Sequence, residues 1–378
     1  MSQLQMSLFE NVSPVVQTEG IKYAGSKLRL LSQILEIIDN VKPRTVLDGF
    51  SGTTRVTQVL AGAGYTVYSN DLAVWSKVFA TCYLLSEYPR SYYQELIDHL
   101  NNLEGKYGWF SENYGGQPNN GNAVQADGLK KPWQYHVTHR LDAIRESIER
   151  LNLNEIEKSV ALTSLILALD KVDNTIGHYA SYLKEWSLRS YGPLVLEVPH
   201  LHPRDRDHQV LNHDIFEAIC QANVDLAYFD PPYGSNNEKM PPSRVRYAAY
   251  YHLWKTVCLN DKPELFGKVR RRKDSSDTVV PNQFEDFRRD LLTGRFIAVE
   301  AIERLIKNVN AEYVLLSYSS GGRATASELH DILESNGTIL RVAKVNYKKN
   351  VMADMKWTNE WIRDAEEPHH EFLFLIRK

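Results

Sequence analysis

Residues 45–69 place the strongest constraint on what this chain can fold into. Thr45-Val46-Leu47 is a short apolar run, Asp48 to Thr54 a glycine-bearing turn, Val56 to Ala63 a helical stretch closed by Gly62 and Gly64, and Thr66-Val67-Tyr68-Ser69 a second strand-like run. Strand, helix and strand within about 25 residues is the compact crossover of a parallel sheet. Ahead of it, Leu28, Leu31, Leu35 and Ile38 give an amphipathic stripe between Lys27 and Asp39, and Pro43 resets the chain. Further strand-like runs stand at Val210-Leu211, Val224–Phe229, Tyr313–Tyr318, Thr338–Tyr347 and Phe372–Ile376, without an internal repeat. Together they predict an alternating α/β domain with about seven mostly parallel strands.

Two stretches interrupt the series. Between about residues 75 and 205, Leu141, Ile144, Ile148 and Leu151 form one helical stripe and Val160–Leu169 another, while Gly105–Pro132 is Gly- and Asn-rich and reads as looped. The polar, proline-punctuated stretch from Ser235 to Pro281 is the second. The expected organisation is a mobile lead-in over 1–20, an α/β domain assembled from 21–80, 205–234 and 300–378, a mainly helical insertion over 81–204, and a second insertion over 235–299. A chain of 378 residues has length enough for one large domain with insertions, or two. Its three cysteines, Cys82, Cys220 and Cys258, lack metal or redox spacing, which suits a reducing compartment. The start, MSQLQMSLFENVS, lacks the layout of a secretory signal, and no apolar run approaches the ~20 residues of a membrane span. A cytoplasmic protein is expected. The net charge of −3 advertises no nucleic-acid partner, but positive charge clusters once, at Lys268-Val-Arg270-Arg271-Arg272-Lys273.

The turn Asp48-Gly49-Phe50-Ser51-Gly52-Thr53-Thr54 directly follows the first strand, where glycines allow a tight turn and close approach of a ligand. Asp71 ends the second strand 19 residues beyond Gly52, a position from which an acid commonly accepts hydrogen bonds from ribose hydroxyls. Such a turn can also be purely structural. The full G-x-G-x-x-G spacing of dinucleotide folds is absent. The loop instead resembles the D-x-F-x-G-x-G loop of S-adenosylmethionine-dependent DNA methyltransferases, with Thr54 where that pattern has its last glycine. Upstream, Lys22-Tyr23-Ala24-Gly25-Ser26-Lys27 precedes a helix, whose N-terminal amides and hydroxyls suit a carboxylate; a Ser-capped basic helix start is the simpler reading.

Asp230-Pro231-Pro232-Tyr233-Gly234 follows the strand Val224–Phe229, at the edge where open α/β sheets bind ligands. Two prolines remove both amide donors and stiffen the turn. The Asp230 carboxylate and the Pro231 carbonyl can then stand as fixed acceptors beside an aromatic ring that offers a stacking surface. An exocyclic base amine is a poor nucleophile because its lone pair is delocalised. Two acceptors on its two hydrogens favour a pyramidal nitrogen and stabilise the charge that develops as a methyl group arrives. With a sulfonium donor no metal, second cofactor or covalent enzyme intermediate is needed.

With Leu141-Asp142-Ala143-Ile144-Arg145, Asp173 to Tyr179, Tyr251-His252-Leu253-Trp254, Leu316 to Ser319 and Glu371 to Ile376, these segments make the chain similar, from about Lys22 to Lys378, to adenine-specific DNA methyltransferases whose cofactor motifs precede D-P-P-Y. The resemblance implies a Rossmann-like methyltransferase sheet and S-adenosylmethionine as donor. Lys22, Tyr23, Ala24, Gly25 and Lys27 would meet its methionine end, Asp48, Phe50, Ser51, Gly52 and Thr53 would form the loop beside it, Asp71 would take its ribose, and Asp214 and Ile215 would lie by its adenine. Asp230 and Pro231 would hold the target amine, with Pro232 completing the turn and Tyr233 stacked on the base.

The target adenine would be flipped out of double-stranded DNA, at an unstacking cost of a few kcal/mol. Arg244, Arg246, Lys268, Arg270, Arg271, Arg272 and Lys273 are the expected DNA contacts, with the aromatic stretches Lys106–Tyr114 and Lys130–Tyr135 either sharing recognition or packing as a helical lid. The resemblance extends to a restriction–modification setting, with a cognate endonuclease or none, and to a monomer or weak dimer. Other substrates in the same chemistry are a cytosine N4 amine, an RNA base or a protein glutamine amide; first-position Asp favours adenine, since cytosine enzymes more often carry Ser and glutamine enzymes Asn. A non-catalytic DNA-binding homologue is the rival from another class, and the intact Asp230 motif argues against it. His136 and His139 lack companion ligands for a metal, and Ser317 to Ser320 lack a hydrolase's partners.

Overall fold

A computed structural model describes residues 17–201, 206–234, 246–276, 282–346, 351–354 and 370–378. Its main sheet contains β1 (Thr45–Asp48), β2 (Thr66–Asn70), β3 (Gln209–Leu211), β4 (Val224–Phe229), β5 (Ala311–Ser319), β6 (Thr338–Asn346), β7 (Val351–Asp354) and β8 (His370–Arg377). Their order across the sheet is β7-β6-β8-β5-β4-β1-β2-β3. From β3 through β2, β1 and β4 to β5 all pairings are parallel, and β8 inserts antiparallel between β5 and β6. The sheet has one strand more than the expected seven, because β7 pairs antiparallel with β6 at the edge. Its apolar run, Val351-Met352-Ala353, is only three residues long and was too short to read as a strand.

Helices follow in the order α1 (Leu31–Val41), α2 (Arg55–Gly62), α3 (Val74–Leu85), α4 (Arg90–Asn101), α5 (Trp109–Tyr114), α6 (Tyr135–Arg150), α7 (Glu155–Lys171), α8 (Ile215–Gln221), α9 (Tyr247–Tyr250), α10 (His252–Leu259), α11 (Ile297–Asn308) and α12 (Ala326–Asn336). Alternation along the strands buries both faces of the sheet. In β4, Leu226 and Tyr228 join Ile34, Ile38, Val56 and Leu60 of α1 and α2. Ala227 and Phe229 point the other way, to Ile215 and Ile219 of α8, Ile302 of α11 and Leu333 of α12. A third core gathers Phe79 of α3, Ile97 of α4, Leu141 and Ile144 of α6, Leu165 of α7 and Trp254 of α10. It sits over the β3 side of the sheet, since α3 packs on β3 as well as on α7.

Three local expectations change. The helix expected from Lys27 starts as a 3-10 turn, Lys27–Arg29, and becomes α-helical only at Leu31. The tighter turn leaves Leu28 half exposed, and the buried stripe is Leu30, Leu31, Ile34, Ile37 and Ile38. The stretch 105–132 contains α5, whose start is capped by Asp142: its carboxylate accepts from the amides of Phe110 and Ser111, both at 2.9 Å. In the lead-in, residues 17–20 are tied to α2: the Glu19 amide donates to Gln58 Oε1 at 2.9 Å and Arg55 to the Gly20 carbonyl at 3.2 Å; residues 1–16 lie outside the described ones. Among the described residues no helix is long and apolar enough to cross a membrane.

Candidate active site

A cleft of about 420 Å³ opens at the C-terminal ends of β1, β2 and β4, within the size range of small-molecule sites. Phe50, Ile215, Phe216 and Phe284 line it on one side and Tyr23, Trp75, Tyr247 and Tyr251 on the other, with Asp71 and Asp214 among its polar groups. Phe284 stands edge-on to Phe50 at 5.2 Å and stacks on Phe216 at 5.9 Å. Gly49 is required by close approach: a β-carbon there would lie 2.7 Å from the Phe229 ring and 3.0 Å from Ile215.

The loop after β1 is fastened to β2 through Asp71. Its Oδ2 accepts from the Gly52 amide and its Oδ1 from the Ala73 amide, each at 2.8 Å. A carboxylate has about four acceptor sites, so capacity remains for a ligand. Burial raises the Asp71 carboxyl above its ordinary range. Thr54, which replaces the glycine of the related loops, adopts φ +60°, the left-handed region that suits glycine. Its hydroxyl donates to the Thr53 carbonyl at 2.7 Å and accepts from Gln58 Nε2 at 3.0 Å. The turn is thus kept by side-chain bonding rather than by glycine.

Ser51 and Thr53 support the loop without lining the cleft; Ser51 donates to the Asn70 carbonyl through both its amide (2.9 Å) and its hydroxyl (3.1 Å). Asp48 lies behind it, with Oδ2 on the Thr57 hydroxyl at 2.7 Å and Oδ1 buried without a partner among the described residues. Burial pushes its carboxyl up to about 7. Asp214 caps α8 by accepting from the Phe216 amide at 3.0 Å and, with Ile215, reaches the cleft.

The segment Lys22 to Lys27 divides three ways. Lys22 turns to the helical insertion, 2.7 Å from Asp173 Oδ1. Tyr23 lines the cleft and stacks on Tyr251 at 4.7 Å, while the Ala24 amide donates to the Tyr251 hydroxyl at 2.7 Å. Gly25, at φ +82°, leaves room for the Tyr247 hydroxyl, which a β-carbon would meet at 2.9 Å. Lys27 is buried and reaches the end of β4, with Nζ 2.7 Å from Asp230 Oδ2 and 3.3 Å from Glu371 Oε1.

Asp230 therefore stands in a buried polar cluster. The Tyr233 hydroxyl contacts both Asp230 Oδ1 and Glu371 Oε1, and its single proton can serve one acceptor at a time. Ser317 Oγ donates to Glu371 Oε1 at 2.6 Å. Burial raises the Asp230 carboxyl to about 6, with Lys27 opposing the rise and Glu371 adding to it. The Tyr233 ring lies 4.7 Å from that of Tyr318, and its carbonyl accepts from the Arg323 amide at 2.6 Å. Pro232 is the residue of this turn that lines the cleft. Glu371 and Ser317 were not anticipated as site residues. A carboxylate at the head of the apolar run Phe372–Ile376 was the available signal, since a charge entering a buried strand needs a partner.

The basic run divides as well. Leu265–Phe266 and Arg271–Arg272 form a two-stranded hairpin, so successive side chains alternate in direction. Arg272 is 3% exposed and bonds Asp261 through two nitrogens at 2.7 Å and Asp274 at 2.9 and 3.0 Å. It braces the hairpin and leaves the DNA-facing set. Arg272→Ala is expected to destabilise the fold by about 1.5–3 kcal/mol, the usual worth of hydrogen bonds to charged groups, because the partly exposed Asp261 and Asp274 can turn to water; a thermal melt checks this. Lys268 is exposed, Lys273 is exposed with Nζ 3.0 Å from Glu264, and Arg271 covers the Phe266 ring at 5.1 Å. Arg270, at φ +54°, accepts the Tyr114 hydroxyl on its carbonyl at 2.8 Å. Arg246 lines the cleft, and Arg244 lies outside the described residues. Of the aromatic stretches, Phe110, Tyr114 and Trp133 are buried in the insertion core and Tyr107 is exposed.

A family model described as D12 class N6 adenine-specific DNA methyltransferase matches residues 23–286, a span that takes in Tyr23, the Asp48–Thr54 loop, Asp71, Asp214 and the Asp230–Tyr233 turn. The chain is 29% identical over 377 residues to modification methylase StsI of Streptococcus sanguinis, covering 95% of this chain and 52% of the relative. It is 29% identical over 328 residues to modification methylase LlaI of Lactococcus lactis subsp. lactis, covering 82% and 48%. With type II methyltransferase M.NlaIII of Neisseria lactamica the identity is 26% over 326 residues, covering 84% and 89%. The chain thus spans about half the length of the first two relatives and most of the third.

Proposed function

This chain belongs to the D12 class N6 adenine-specific DNA methyltransferases, and from that premise we propose that it methylates the exocyclic N6 amine of an adenine flipped out of double-stranded DNA, with S-adenosylmethionine as donor. One observation carries the proposal. A carboxylate at the end of a central parallel strand, Asp230, is charge-balanced by Lys27 beside a cleft of nucleoside-binding character.

The cleft's own residues fit the donor. The aromatic wall of Phe50, Phe216 and Phe284 suits a planar base, Asp214 and Ile215 its edge, and Asp71 the two hydroxyls of a ribose. When bound, S-adenosylmethionine supplies a methyl group made electrophilic by its sulfonium. The protein then orients the nucleophile. Asp230 and the Pro231 carbonyl accept the two amine hydrogens, which requires Tyr233 or Lys27 to yield its place on the Asp230 carboxylate. Asp230 is also the nearest base for the proton that the nitrogen sheds once methylated. Tyr233, freed from Asp230, offers its ring to the base. Catalysis of this kind is positioning and electrostatics rather than covalent participation.

Residues 21–80, 205–234 and 300–378 make up the catalytic domain in this proposal, with 81–204 as helical insertion and 235–299 as the DNA-contacting insertion. Both α3 and α11 run across these limits, so the units share helices. Exposed Lys268 and Lys273, with Arg270 and Arg271, remain the candidates for phosphate contact, and a restriction–modification setting follows from the family.

Labelled donor incubated separately with duplex DNA, RNA and protein tests the proposal: label in DNA supports it, and label in RNA or protein alone overturns it. Asp71→Ala should weaken donor binding roughly tenfold to a hundredfold, as expected for a hydrogen bond to a charged group. Titration calorimetry with S-adenosylmethionine measures this, and unchanged affinity removes Asp71 from the donor site.

A further inference from the structure

Residues 288–297 form a small, tightly bonded hairpin between the second insertion and α11. The Asp290 amide donates to the Arg295 carbonyl at 2.8 Å, and the Ile297 amide to the Arg288 carbonyl at 2.9 Å. At the tip, Asp290 Oδ1 accepts from the amides of Leu292 and Thr293, both at 2.9 Å, and Gly294 turns the chain at φ +71°. The Arg289 guanidinium lies 4.0 Å above the Phe296 ring and bonds the Gly294 carbonyl at 2.8 Å. This built frame holds Leu291 and Leu292 out at 99% and 97% exposure. Leucines so displayed on a rigid tip, rather than scattered singly, mark a contact surface.

The hairpin's position says what it contacts. Phe296 at its base lies 5.2 Å from the Arg323 guanidinium, and the Arg323 amide donates to the Tyr233 carbonyl at 2.6 Å. The tip is about three strand residues farther out, roughly 10 Å. The hairpin leads directly into α11, the crossover from β4 to the parallel β5, so its base stands at the same end of the sheet as the Asp230 turn; Arg289 carries positive charge beside the tip, while Arg288 is paired with Asp286. Apolar wedges flanked by arginine are a known means of unstacking base steps.

We infer that Leu291 and Leu292 are an apolar wedge that enters the duplex next to the target base and fills or opens the stack during flipping. The inference rests on the proposed action on DNA.

The test uses the full chain and relaxed, covalently closed plasmid DNA treated with a type I topoisomerase. A wedge unwinds or kinks the duplex, so wild-type protein should shift the topoisomer distribution. The double variant Leu291→Ser, Leu292→Ser should lose at least about half of that shift while binding plasmid within about threefold of wild type. Its methylation rate on intact plasmid should fall roughly tenfold, about 1.4 kcal/mol of lost unstacking assistance. Both side chains are in solvent, so a thermal melt should be unchanged. No shift with wild type, or an equal shift with the variant, overturns the wedge. So does sedimentation showing that the variant dissociates a wild-type dimer, which would assign the leucines to a second copy. A wild-type shift without any methyl transfer leaves the wedge standing and overturns the proposed activity instead.

Discussion

Asp230→Ala is expected to lower methyl transfer at least about a thousandfold while donor affinity stays within a few-fold. Loss of one preorganised group facing developing charge commonly costs 10²–10³ in rate, and Asp230 would contribute both orientation of the amine and a base for its proton. Asp71, Phe50 and Asp214, three of the donor's expected contacts, lie on other elements than Asp230. Single-turnover transfer and calorimetry separate the two effects; equal losses of binding and rate would assign Asp230 to the donor site. A pH dependence accompanies this. The acceptor form is the ionised one, and burial raises the carboxyl to about 6. The rate should therefore fall about tenfold per pH unit below that value and level off above it.

The second large effect comes from the charges that hold Asp230, and its sign differs between them. Lys27 lowers the Asp230 carboxyl and Glu371 raises it. Lys27→Met should move the acid limb of the rate profile to higher pH, because Asp230 then ionises against Glu371 alone. It should also destabilise the fold by about 3–5 kcal/mol, since two buried carboxylates lose their shared cation. Glu371→Gln keeps an acceptor for Ser317, removes the opposing charge, and should move the acid limb to lower pH. Opposite displacements identify Lys27 and Glu371 as positioning residues acting through Asp230. Profiles displaced the same way, or not at all, would reduce both to structural partners.

What could be read from the residues alone followed the local rules of backbone and burial. The strands 45–48, 66–70 and 224–229 announced themselves because each carries β-branched or aromatic residues and runs into a turn, and the acids at or just past their ends, Asp48, Asp71 and Asp230, came with them. What escaped depended on distant partners. Lys27 looked like a basic helix start suited to a carboxylate, but its partners Asp230 and Glu371 lie far along the chain and meet it only through the sheet. Arg272 sat in a run of positive charge, and only the hairpin's two-residue period, with Asp261 and Asp274 beneath it, turns it inward. Thr54 shows the converse. It stands where the resembling loops have their last glycine, and its own backbone takes a left-handed turn at φ +60° with its hydroxyl bonded to Thr53 and Gln58.

The most direct measurement is nucleoside mass spectrometry of duplex DNA after incubation with the protein and isotopically labelled S-adenosylmethionine. Label should appear in N6-methyladenine with wild-type protein and be absent with Asp230→Ala. Label in 4-methylcytosine, or N6-methyladenine undiminished by the Asp230 replacement, would contradict the assignment of that carboxylate to an adenine amine.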